Sequence, residues 1–563
     1  MMGAEAGNRW ERVVAADPSV QTDLVRQAHE ARAEHRFGDA YEAFSQAAAL
    51  GELETGDVVA WSDAAWWLGH ADRALELAEL GHQRLLTDGQ PVRAAMEAIS
   101  LGFLLMLRGD LAAGSGWLRR GRSLVERSRD EHARGYVVHL DAEEALQGGQ
   151  LDRAVELARE AREIGRRGSD PALTALALMT EGTARLRAGD VADGMALLDE
   201  AMLPVQAGQV PPEVAGNLYC QMIAACWELS DLRRAREWTA ATERWCERFD
   251  SSVMFSGICR MHRVQLWQVA GDWDTAAEEA EVVCRELIGM NTAVVAEGHY
   301  LLGDLLRLRG SVDDAEVAYR RAHELGRDPQ PGLALLRAQR GQVEVALTSL
   351  QTALAGHLEA DYARAPLLRA LVEVAIDAGD VEAARGAVGE LVALADRWPS
   401  DGLRAAAAHA SGSVQLAGGD AAGAVAPLRD AIRRWQGLDA QYDGATARML
   451  LAEACTFLGD HDAGRMELDT AASTLQRLGA VVDLRRLERL RPGGKLPGGL
   501  TSREAEIVAH VADGSTNREV AEALVISDKT VARHLANIYL KLGVSTRTAA
   551  AAWARRNGVL PPA

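Results

Sequence analysis

The sequence predicts an all-α protein in which a long array of helical hairpins is followed by a small bundle of four helices. Two observations favour this fold class. A turn signature recurs about every forty residues through the first 490 residues, and a run of helix-capping motifs occupies the last seventy. At 563 residues the chain is too long for one hydrophobic core, which agrees with an extended array.

The recurring signature is a Gly-Asp pair or a close variant, then an apolar residue, and a small residue three positions later. Glycine supplies the left-handed residue that ends one helix, and the aspartate side chain caps the next. Between Gly109 and Gly310 the signature returns every 39 to 41 residues. Turns are predicted at Gly38-Asp39, Gly69-His70, Gly109-Asp110, Gly149-Gln150, Gly189-Asp190, Ser230-Asp231, Gly271-Asp272, Gly310-Ser311, Gly341-Gln342, Gly379-Asp380, Gly419-Asp420 and Gly459-Asp460.

The small residue lets the second helix of each hairpin pack closely on the first. One hairpin cannot bury its own apolar face, so neighbouring hairpins must stack into an α-solenoid. This turn signature resembles that of tetratricopeptide repeats, although the period near 40 is longer than the roughly 34 residues of that family. The small position is occupied, for example, by Ala154, Ala235, Ala276, Ala315 and Ala384.

Proline-bearing breaks are expected between hairpins, where proline is tolerated. They occur at Asp170-Pro171, at residues 209–212, at residues 328–332 and at Trp398-Pro399. The break at 328–332 coincides with a shortened interval of 31 residues between Gly310 and Gly341, which predicts an irregular junction there.

The array, residues 1–490, is expected to end near Leu490, and residues 491–499 form a Gly- and Pro-rich linker. A Gly-rich coil of that length spans about 15–18 Å on average. The tail module, residues 500–563, then begins with the capping boxes Thr501/Glu504 and Thr516/Glu519. Its remaining boundaries are indicated by Asp513-Gly514 after the first helix, Ser527 and Gly543 around the third, and Ser545-Thr546 and Gly558 around the fourth.

The third helix of the tail has two opposite faces. Val531, Leu535, Ile538 and Leu542 are spaced 4, 3 and 4 residues apart and form one apolar stripe. A stripe that packs inward, opposite a basic side with small residues, is suited to the major groove of DNA, where Arg can pair with guanine. The opposite side carries Lys529, Arg533, Ala536 and Leu540, with Asn537 beside them and Ala532 nearby.

Four motifs in this order and spacing resemble the LuxR/GerE-type helix-turn-helix. They are Thr501-x-Arg-Glu, Asn517-Arg-Glu-Val-Ala, Ser527-x-Lys-Thr-Val-x-x-His-x-x-Asn-Ile and Lys541-Leu-Gly-Val-x-x-Arg547. The resemblance implies a four-helix DNA-binding domain without a wing, which reads the major groove with its third helix and often dimerises through its fourth.

Carried over by position, the resemblance implies two kinds of DNA contact. Thr516, Asn517, Thr530, Lys541 and Arg547 become backbone contacts, and Arg533 and Asn537 become base readers beside Lys529. His534 is open to two interpretations, packing or phosphate contact. Ala532 and Ala536 depart from the second basic residue that many members carry, which implies sparse base readout. The residues 549–552 and Trp553 offer a surface to a partner domain, and Arg555 and Arg556 are expected to be solvated.

Charge distribution separates the array from the tail. The chain has a net charge of -20, but from Leu496 onward eight Lys and Arg face six Asp and Glu, giving +2 for the tail and -22 for the rest. A basic tail on an acidic body favours double-stranded DNA as the partner of the tail alone. Further expected partners are RNA polymerase, a second copy of the chain on DNA, and an unidentified peptide, protein or small-molecule signal on the array.

Other classes of protein are disfavoured by the sequence. No apolar run approaches a membrane span, no secretory signal is recognisable, and only six cysteines occur, so a cytoplasmic, nucleoid-associated protein is expected. The nearest approach to a Walker A loop, residues 493–496, lacks its first glycine and its hydroxyl. We therefore expect no enzyme activity, no cofactor and no metal. The alternative function is a protein-interaction scaffold whose helix-turn-helix tail is not the main functional site.

Two residue clusters in the array admit a structural and a functional interpretation. For the cysteines, packing is favoured over a redox or metal site because no CxxC pair occurs. For the tryptophans, packing between long helices is favoured over a ligand groove. The cysteines are Cys220, Cys226, Cys246, Cys259 and Cys284, and the tryptophans are Trp61, Trp66, Trp67, Trp227, Trp238, Trp245, Trp267 and Trp273.

Overall fold

The computed structural model describes residues 18–249, 253–356, 360–491, 497–524 and 526–557. Every regular element within these ranges is helical, which confirms the all-α prediction. None of the described helices combines the length and the apolar composition needed to cross a bilayer.

Within the described residues, the array contains twelve antiparallel pairs of helices and one last helix that packs on the twelfth pair. Its helices are α1 (Pro18–Ala33), α2 (Phe37–Leu50), α3 (Thr55–Trp67), α4 (Ala71–Thr87), α5 (Pro91–Arg108), α6 (Leu111–Ser128), α7 (Glu131–Gln147), α8 (Leu151–Arg167), α9 (Pro171–Ala188), α10 (Val191–Gln206), α11 (Pro212–Glu228), α12 (Leu232–Cys246), α13 (Val253–Ala270), α14 (Trp273–Leu287), α15 (Thr292–Leu308), α16 (Val312–Glu324), α17 (Gly332–Gln339), α18 (Val343–Ala355), α19 (Ala365–Asp377), α20 (Val381–Arg397), α21 (Asp401–Ala417), α22 (Ala421–Gly437), α23 (Gln441–Phe457), α24 (His461–Leu478) and α25 (Val481–Leu490).

Eleven of the twelve predicted turns fall between the two helices of a pair, and each has its first residue in the left-handed region. Gly109 has φ 94°, for example, and Ser230 takes the same conformation with φ 55°. The prediction at Gly38 is wrong. There α2 already begins at Phe37, so Gly38 lies in its first turn, and His35 is the left-handed residue with φ 60°.

The predicted aspartate caps are confirmed at some turns and wrong at others. The side chains of Asp231, Asp380, Asp420 and Asp460 each accept a hydrogen bond from the backbone N–H three residues later. Asp110, Asp190 and Asp272 make no such bond. These turns are held by backbone hydrogen bonds, such as the 2.9 Å bond that the backbone N–H of Asp110 donates to the carbonyl oxygen of Leu105.

The small position of the signature lies directly on the first helix of each pair. All five predicted alanines are fully buried. Glycine occupies the equivalent place at Gly114 and Gly194. A Cβ atom on Gly194 would lie 2.8 Å from the carbonyl oxygen of Gly182 on α9, which is closer than real Cβ atoms approach. Close helix contact therefore requires a small side chain here.

The shortened interval between Gly310 and Gly341 has a simple origin. Helix α17 has only eight residues, whereas its neighbours in the array have 13 or more. It begins at Gly332, the last residue of the break at residues 328–332, which confirms the irregular junction predicted there. The other proline-bearing breaks also lie between pairs, at the starts of α9, α11 and α21.

Hairpins far apart in sequence touch each other, so the array coils back on itself. The indole Nε1 of Trp398 donates to the carbonyl oxygen of Leu186 over 2.7 Å, and Thr292 Oγ1 donates to the carbonyl oxygen of Arg108 over 2.5 Å. Tryptophan packing is confirmed for five residues that are buried, while Trp227, Trp238 and Trp267 are partly exposed. The array is a tetratricopeptide-like α-solenoid. The buried five are Trp61, Trp66, Trp67, Trp245 and Trp273.

The tail contains the four predicted helices: α26 (Ser502–Ala512), α27 (Asn517–Ala523), α28 (Asp528–Leu542) and α29 (Arg547–Arg556). The predicted end of the fourth helix at Gly558, and linker residues 492–496, lie outside the described residues. Pro497–Gly499 form a short 3-10 turn in front of α26. Within it, Gly498 packs against Trp553 and Leu542, so this end of the predicted linker is part of the bundle.

Candidate nucleic-acid interface

The inner face of α28 holds the tail together. Val531 and Ile538 are fully buried, and Leu535 nearly so, in a core that all four helices share. This confirms the predicted apolar stripe, with Leu542 partly buried at its end. The other helices contribute Ile507, Val508, Val511, Val520, Ala521, Ala550 and Ala554.

Local capping fixes where each tail helix begins. Both predicted capping boxes are complete: Thr501 with Glu504 starts α26, and Thr516 with Glu519 starts α27. Ser527 caps α28 by accepting from the backbone N–H of Thr530 over 3.1 Å. Because these starts are set by bonds within three residues, the sequence alone was enough to predict them.

The outer face of α28, which we call the open face, consists of Lys529, Arg533, Ala536, Asn537 and Leu540. All five residues are exposed, and Leu540 is 83% exposed. Within the described part of the chain, no hydrogen bond or ion pair engages the side chain of Lys529, Arg533 or Asn537. Their donors are therefore available to an external partner.

Most other basic side chains of the tail are already paired inside it. Arg503 Nη1 lies 2.7 Å from Glu506 Oε2, and Arg518 Nε lies 3.1 Å from Glu522 Oε1. The expectation that Arg555 is merely solvated is wrong. Its guanidinium donates to the carbonyl oxygen of Ala512 over 2.7 Å, because α29 packs along α26 and brings the side chain to the end of that helix.

Glu504 has a second role that the capping motif did not reveal. Its side chain is buried, only 4% of the residue being exposed, and its Oε2 lies 2.5 Å from the ammonium of Lys541. Burial acts to raise the pKa of this carboxyl. The hydrogen bonds from Lys541 and Thr501 outweigh burial and hold the pKa below its usual value. The start of α26 is thereby tied to the end of α28.

Arg547, the first residue of α29, ties that helix to the start of α27. Its Nη1 donates to Asn517 Oδ1 over 2.7 Å, and its Nη2 donates to the carbonyl oxygen of Ser515. The predicted contact residues Asn517 and Arg547 are thus brought together, next to Thr516. A guanidinium carries five donors, so bonds to two acceptors leave others free.

The remaining predicted contact residues lie on or beside α28. Thr530 is half-buried, and its hydroxyl shares a 2.8 Å hydrogen bond with that of Ser527. His534 is also half-buried, between the core stripe and the open face. Both interpretations of His534, packing and phosphate contact, stay open at this position.

The predicted partner surface on α29 is used in part within the tail. Ala550 is fully buried in the bundle core, and Ala549 and Ala551 are half-buried. Trp553 packs against Gly498. Trp553 is half-buried and Ala552 stays exposed, so contact of this surface with a partner domain stays a prediction, to which Ala550 can add little.

The tail matches a known protein family. A family model described as bacterial regulatory proteins, luxR family, matches residues 499–554. The transcriptional regulatory protein LiaR of Bacillus subtilis (strain 168) is 51% identical over 74 residues, which make up 13% of this chain and 35% of that protein. A Mycobacterium bovis protein named as an HTH-type transcriptional regulator, Mb0914c, is 35% identical over 138 residues, 24% of this chain and 15% of that protein.

The chain thus spans about a third of the length of LiaR and less than a sixth of the mycobacterial protein. Among solved structures, a Rap protein complexed with competence and sporulation factor is 13% identical at a TM-score of 0.41, with 64% of this chain and 99% of that chain covered. For the tail, the family match coincides with the four capped helices and the open face described above. Residues 499–554 belong to the luxR family of bacterial regulatory proteins, and α26–α29 form its DNA-binding helix-turn-helix domain.

Proposed function

We propose that this chain is a transcriptional regulator that binds operator DNA by placing the open face of α28 in the major groove. The observation that carries the proposal is the pair of unpaired, exposed cations, Lys529 and Arg533, on a helix whose opposite face forms the core of the domain. Major-groove reading requires a helix that is anchored on one side and free on the other.

The spacing of the open face suits a short stretch of duplex. Lys529, Arg533 and Asn537 follow one another at four-residue intervals and span about 12 Å along the helix. That length corresponds to roughly three or four base pairs at the 3.4 Å rise of each strand. Arg533 can donate two hydrogen bonds to guanine, and Asn537 can pair with adenine. The exposed Ala532 and Ala536 leave room for the backbone to approach.

Phosphate contacts would come from the helix starts around the open face. Thr516 is exposed at the start of α27, where backbone N–H groups attract anions. Lys541 and Arg547 would contact phosphate with the donors that Glu504, Asn517 and Ser515 leave unused. Their internal partners would hold them in place for that contact. Thr530 and His534 would lie at the edge of the same surface.

For the array, the proposal is reception of a signal. The residues before Leu496 carry a net charge of -22, which disfavours DNA, so a peptide, a protein or a small molecule is the ligand expected on the array. Two copies of the chain would bind half-sites about one helical turn apart. Binding of a ligand would shift the population of array shapes or of dimers, and RNA polymerase would be the further partner on DNA.

The experiment is selection of duplexes from a random library by the full-length chain. The wild-type protein should enrich a defined sequence, and its affinity should fall as salt rises. The double variant Lys529→Ala/Arg533→Ala should enrich none. Arg518→Ala/Arg556→Ala, which removes two exposed cations away from the open face, is the matched control and should select as wild type. Failure of the wild-type chain to enrich any duplex would favour the scaffold function instead.

A further inference from the structure

Two cysteines from the sequence cluster meet in the array. Cys246 is the last residue of α12, and Cys259 lies in the following helix, α13. Their sulfur atoms are 3.8 Å apart, at the distance of a weak S–H···S hydrogen bond, and no disulfide joins them. Cys259 is buried, whereas Cys246 is partly exposed. Among the described residues no group of His, Cys, Asp and Glu is arranged to hold a metal, so metal binding does not account for this contact.

Cys246 differs from the other cysteines of the cluster in its chemistry, whereas the hydrogen bond with Cys246, together with burial, raises the pKa of Cys259 well above its usual value. The hydrogen bond with Cys259 holds the pKa of Cys246 below its usual value, despite burial, which acts to raise it. Burial raises the pKa of both Cys220 and Cys226 to about 12, and that of Cys284 to about 11. Because the thiolate is the reactive form, Cys246 is the cysteine of this cluster most ready to react.

We propose that Cys246 and Cys259 form an oxidisable dithiol, which a hydroperoxide converts into a disulfide between α12 and α13. The partly exposed Cys246 reacts first. Its thiolate attacks the terminal oxygen of the hydroperoxide, the O–O bond breaks, and a sulfenic acid forms while the alkoxide or hydroxide leaves and takes up a proton. The Cys259 thiol then attacks the sulfenic sulfur, the S–S bond forms as the S–O bond breaks, and the thiol proton leaves with the hydroxyl group as water. Two electrons pass from the two thiols to the peroxide.

The geometry allows this bond after a small local change. A disulfide has sulfur atoms about 2.05 Å apart, so the two sulfurs must approach by about 1.8 Å. The bond would tie the end of α12 to α13, at the junction between the sixth and seventh hairpins. Trp245 precedes Cys246, and its ring lies 5.6 Å from that of Tyr219, so its fluorescence reports on this junction.

The test is oxidation of the reduced full-length protein with hydrogen peroxide, followed by alkylation, proteolysis and peptide mapping by mass spectrometry. We expect one linked peptide pair that joins Cys246 to Cys259 and disappears after dithiothreitol. Wild-type Trp fluorescence should change with the same time course. Cys220→Ser is the matched control, because Cys220 is a cluster member with a raised pKa, and it should still form the linkage.

Cys246→Ser and Cys259→Ser should each abolish the linked pair. Cys246→Ser should also slow loss of the remaining thiols of the cluster, whereas in Cys259→Ser a sulfenic acid should be trapped at Cys246 by dimedone. The wild-type peptide map needs no variant, so it decides the matter even if a serine variant fails to fold. Absence of the Cys246–Cys259 pair in oxidised wild type, or its replacement by a pair with Cys220, would overturn the proposal. Neither result bears on DNA binding by the tail.

Discussion

The array and the tail use basic side chains in opposite ways. All but eight of the 61 Lys and Arg residues precede Leu496, in the acidic part of the chain. Many of those in the array are paired, as Arg340 is with Asp313 and Glu316. In the tail, the open face of α28 leaves Lys529 and Arg533 without a partner among the described residues. Exposed and unpaired cations, more than the number of basic residues, therefore mark the candidate interface.

Carboxyl groups that are shielded from solvent also differ between the two regions in the direction of their pKa shifts. Burial, together with the nearby Asp63, raises the pKa of Glu97 in α5 to about 7. In the tail, Glu504 has its pKa held below the usual value by Lys541 and Thr501 against the effect of burial. Burial and a nearby like charge thus favour the protonated form of Glu97, whereas hydrogen bonds favour the ionised form of Glu504.

The largest effect should come from the inner face of α28. Ile538→Ala removes a fully buried side chain from the tail core and should cost about 2–5 kcal/mol of unfolding free energy. Leu540→Ala, on the open face, should cost almost nothing because Leu540 is 83% exposed. Native-state hydrogen exchange of α28 in the full-length chain measures both. Equal protection in the two variants would contradict the assignment of the two faces.

The second-largest effect is expected from a substitution at the close contact between α9 and α10 in the array. Gly194→Ala places a Cβ 2.8 Å from the carbonyl oxygen of Gly182 and should destabilise the α9–α10 hairpin by about 1–3 kcal/mol. Gly386→Ala is the control, since nothing lies within 4 Å of its Cβ, and it should stabilise α20 by about 0.5–1 kcal/mol. Hydrogen exchange of α9 and α20 reports each change. Stabilisation by both substitutions would disprove the small-residue requirement.

Removing the charge of Glu97 should stabilise the array at high pH. The pKa of Glu97 is about 7 in the folded chain and about 4.3 in the unfolded chain. The contribution of Glu97 to the unfolding free energy is therefore fully present below the unfolded value and is lost as the pH rises through 7. Glu97→Gln should therefore raise the unfolding free energy by about 1–2 kcal/mol at pH 8. The gain should vanish near pH 4.

Thermal melting of the full-length chain across this pH range provides the measurement. Glu79→Gln, at an exposed position of α4, is the control and should melt as wild type at every pH. A pH-independent gain in Glu97→Gln would show that shape or hydrogen bonding, and not the charge, is responsible.

The smallest effect is expected in the tail and has the opposite pH dependence. Because the pKa of Glu504 is lowered on folding, its contribution is present above the unfolded value of about 4.3 and is lost as pH falls through the lower folded value. Glu504→Gln should weaken protection of α26 by about 1 kcal/mol at pH 7 and by less in acid.

The matched variant is Glu506→Gln, which removes an exposed partner of Arg503 and should change little. Hydrogen exchange measured in α26 and at the end of α28 distinguishes the effect of Glu504→Gln from that of Glu506→Gln. Identical protection in Glu504→Gln and wild type at pH 7 would show that the buried pair with Lys541 adds nothing to the domain.

The sequence predicted the structural features that depend on residues close together in the chain, and it did not predict contacts between distant residues. Turns such as Gly109-Asp110 and caps such as Thr516 act within a few residues, so their residue types were sufficient. The contact of Trp398 with Leu186 joins residues 212 apart, and no local pattern indicates it. At Gly38 the turn signature was present, but the residue with a left-handed conformation is His35, three residues earlier. Helix α2 therefore begins before Gly38.

In the tail, the motifs predicted positions better than partners. The helical period correctly placed Ile538 on the inner face of α28 and Arg533 on the open face, because this period alone decides which face each residue occupies. The bond of Lys541 to Glu504 and that of Arg547 to Asn517 depend on how the helices pack together, across 37 and 30 residues. A family resemblance assigns such residues to DNA without showing that they also hold the domain together.

The role of the open face in DNA binding is tested by comparing Arg533→Ala with Arg518→Ala in the full-length protein. Fluorescence anisotropy on a duplex selected by the wild-type chain, at one fixed salt concentration, gives the two affinities. We predict that Arg533→Ala loses about 1–3 kcal/mol of binding free energy and relaxes the preference at one base pair, while Arg518→Ala binds as wild type. Unchanged binding by Arg533→Ala, in a variant with intact α28 protection, would contradict the role of the open face.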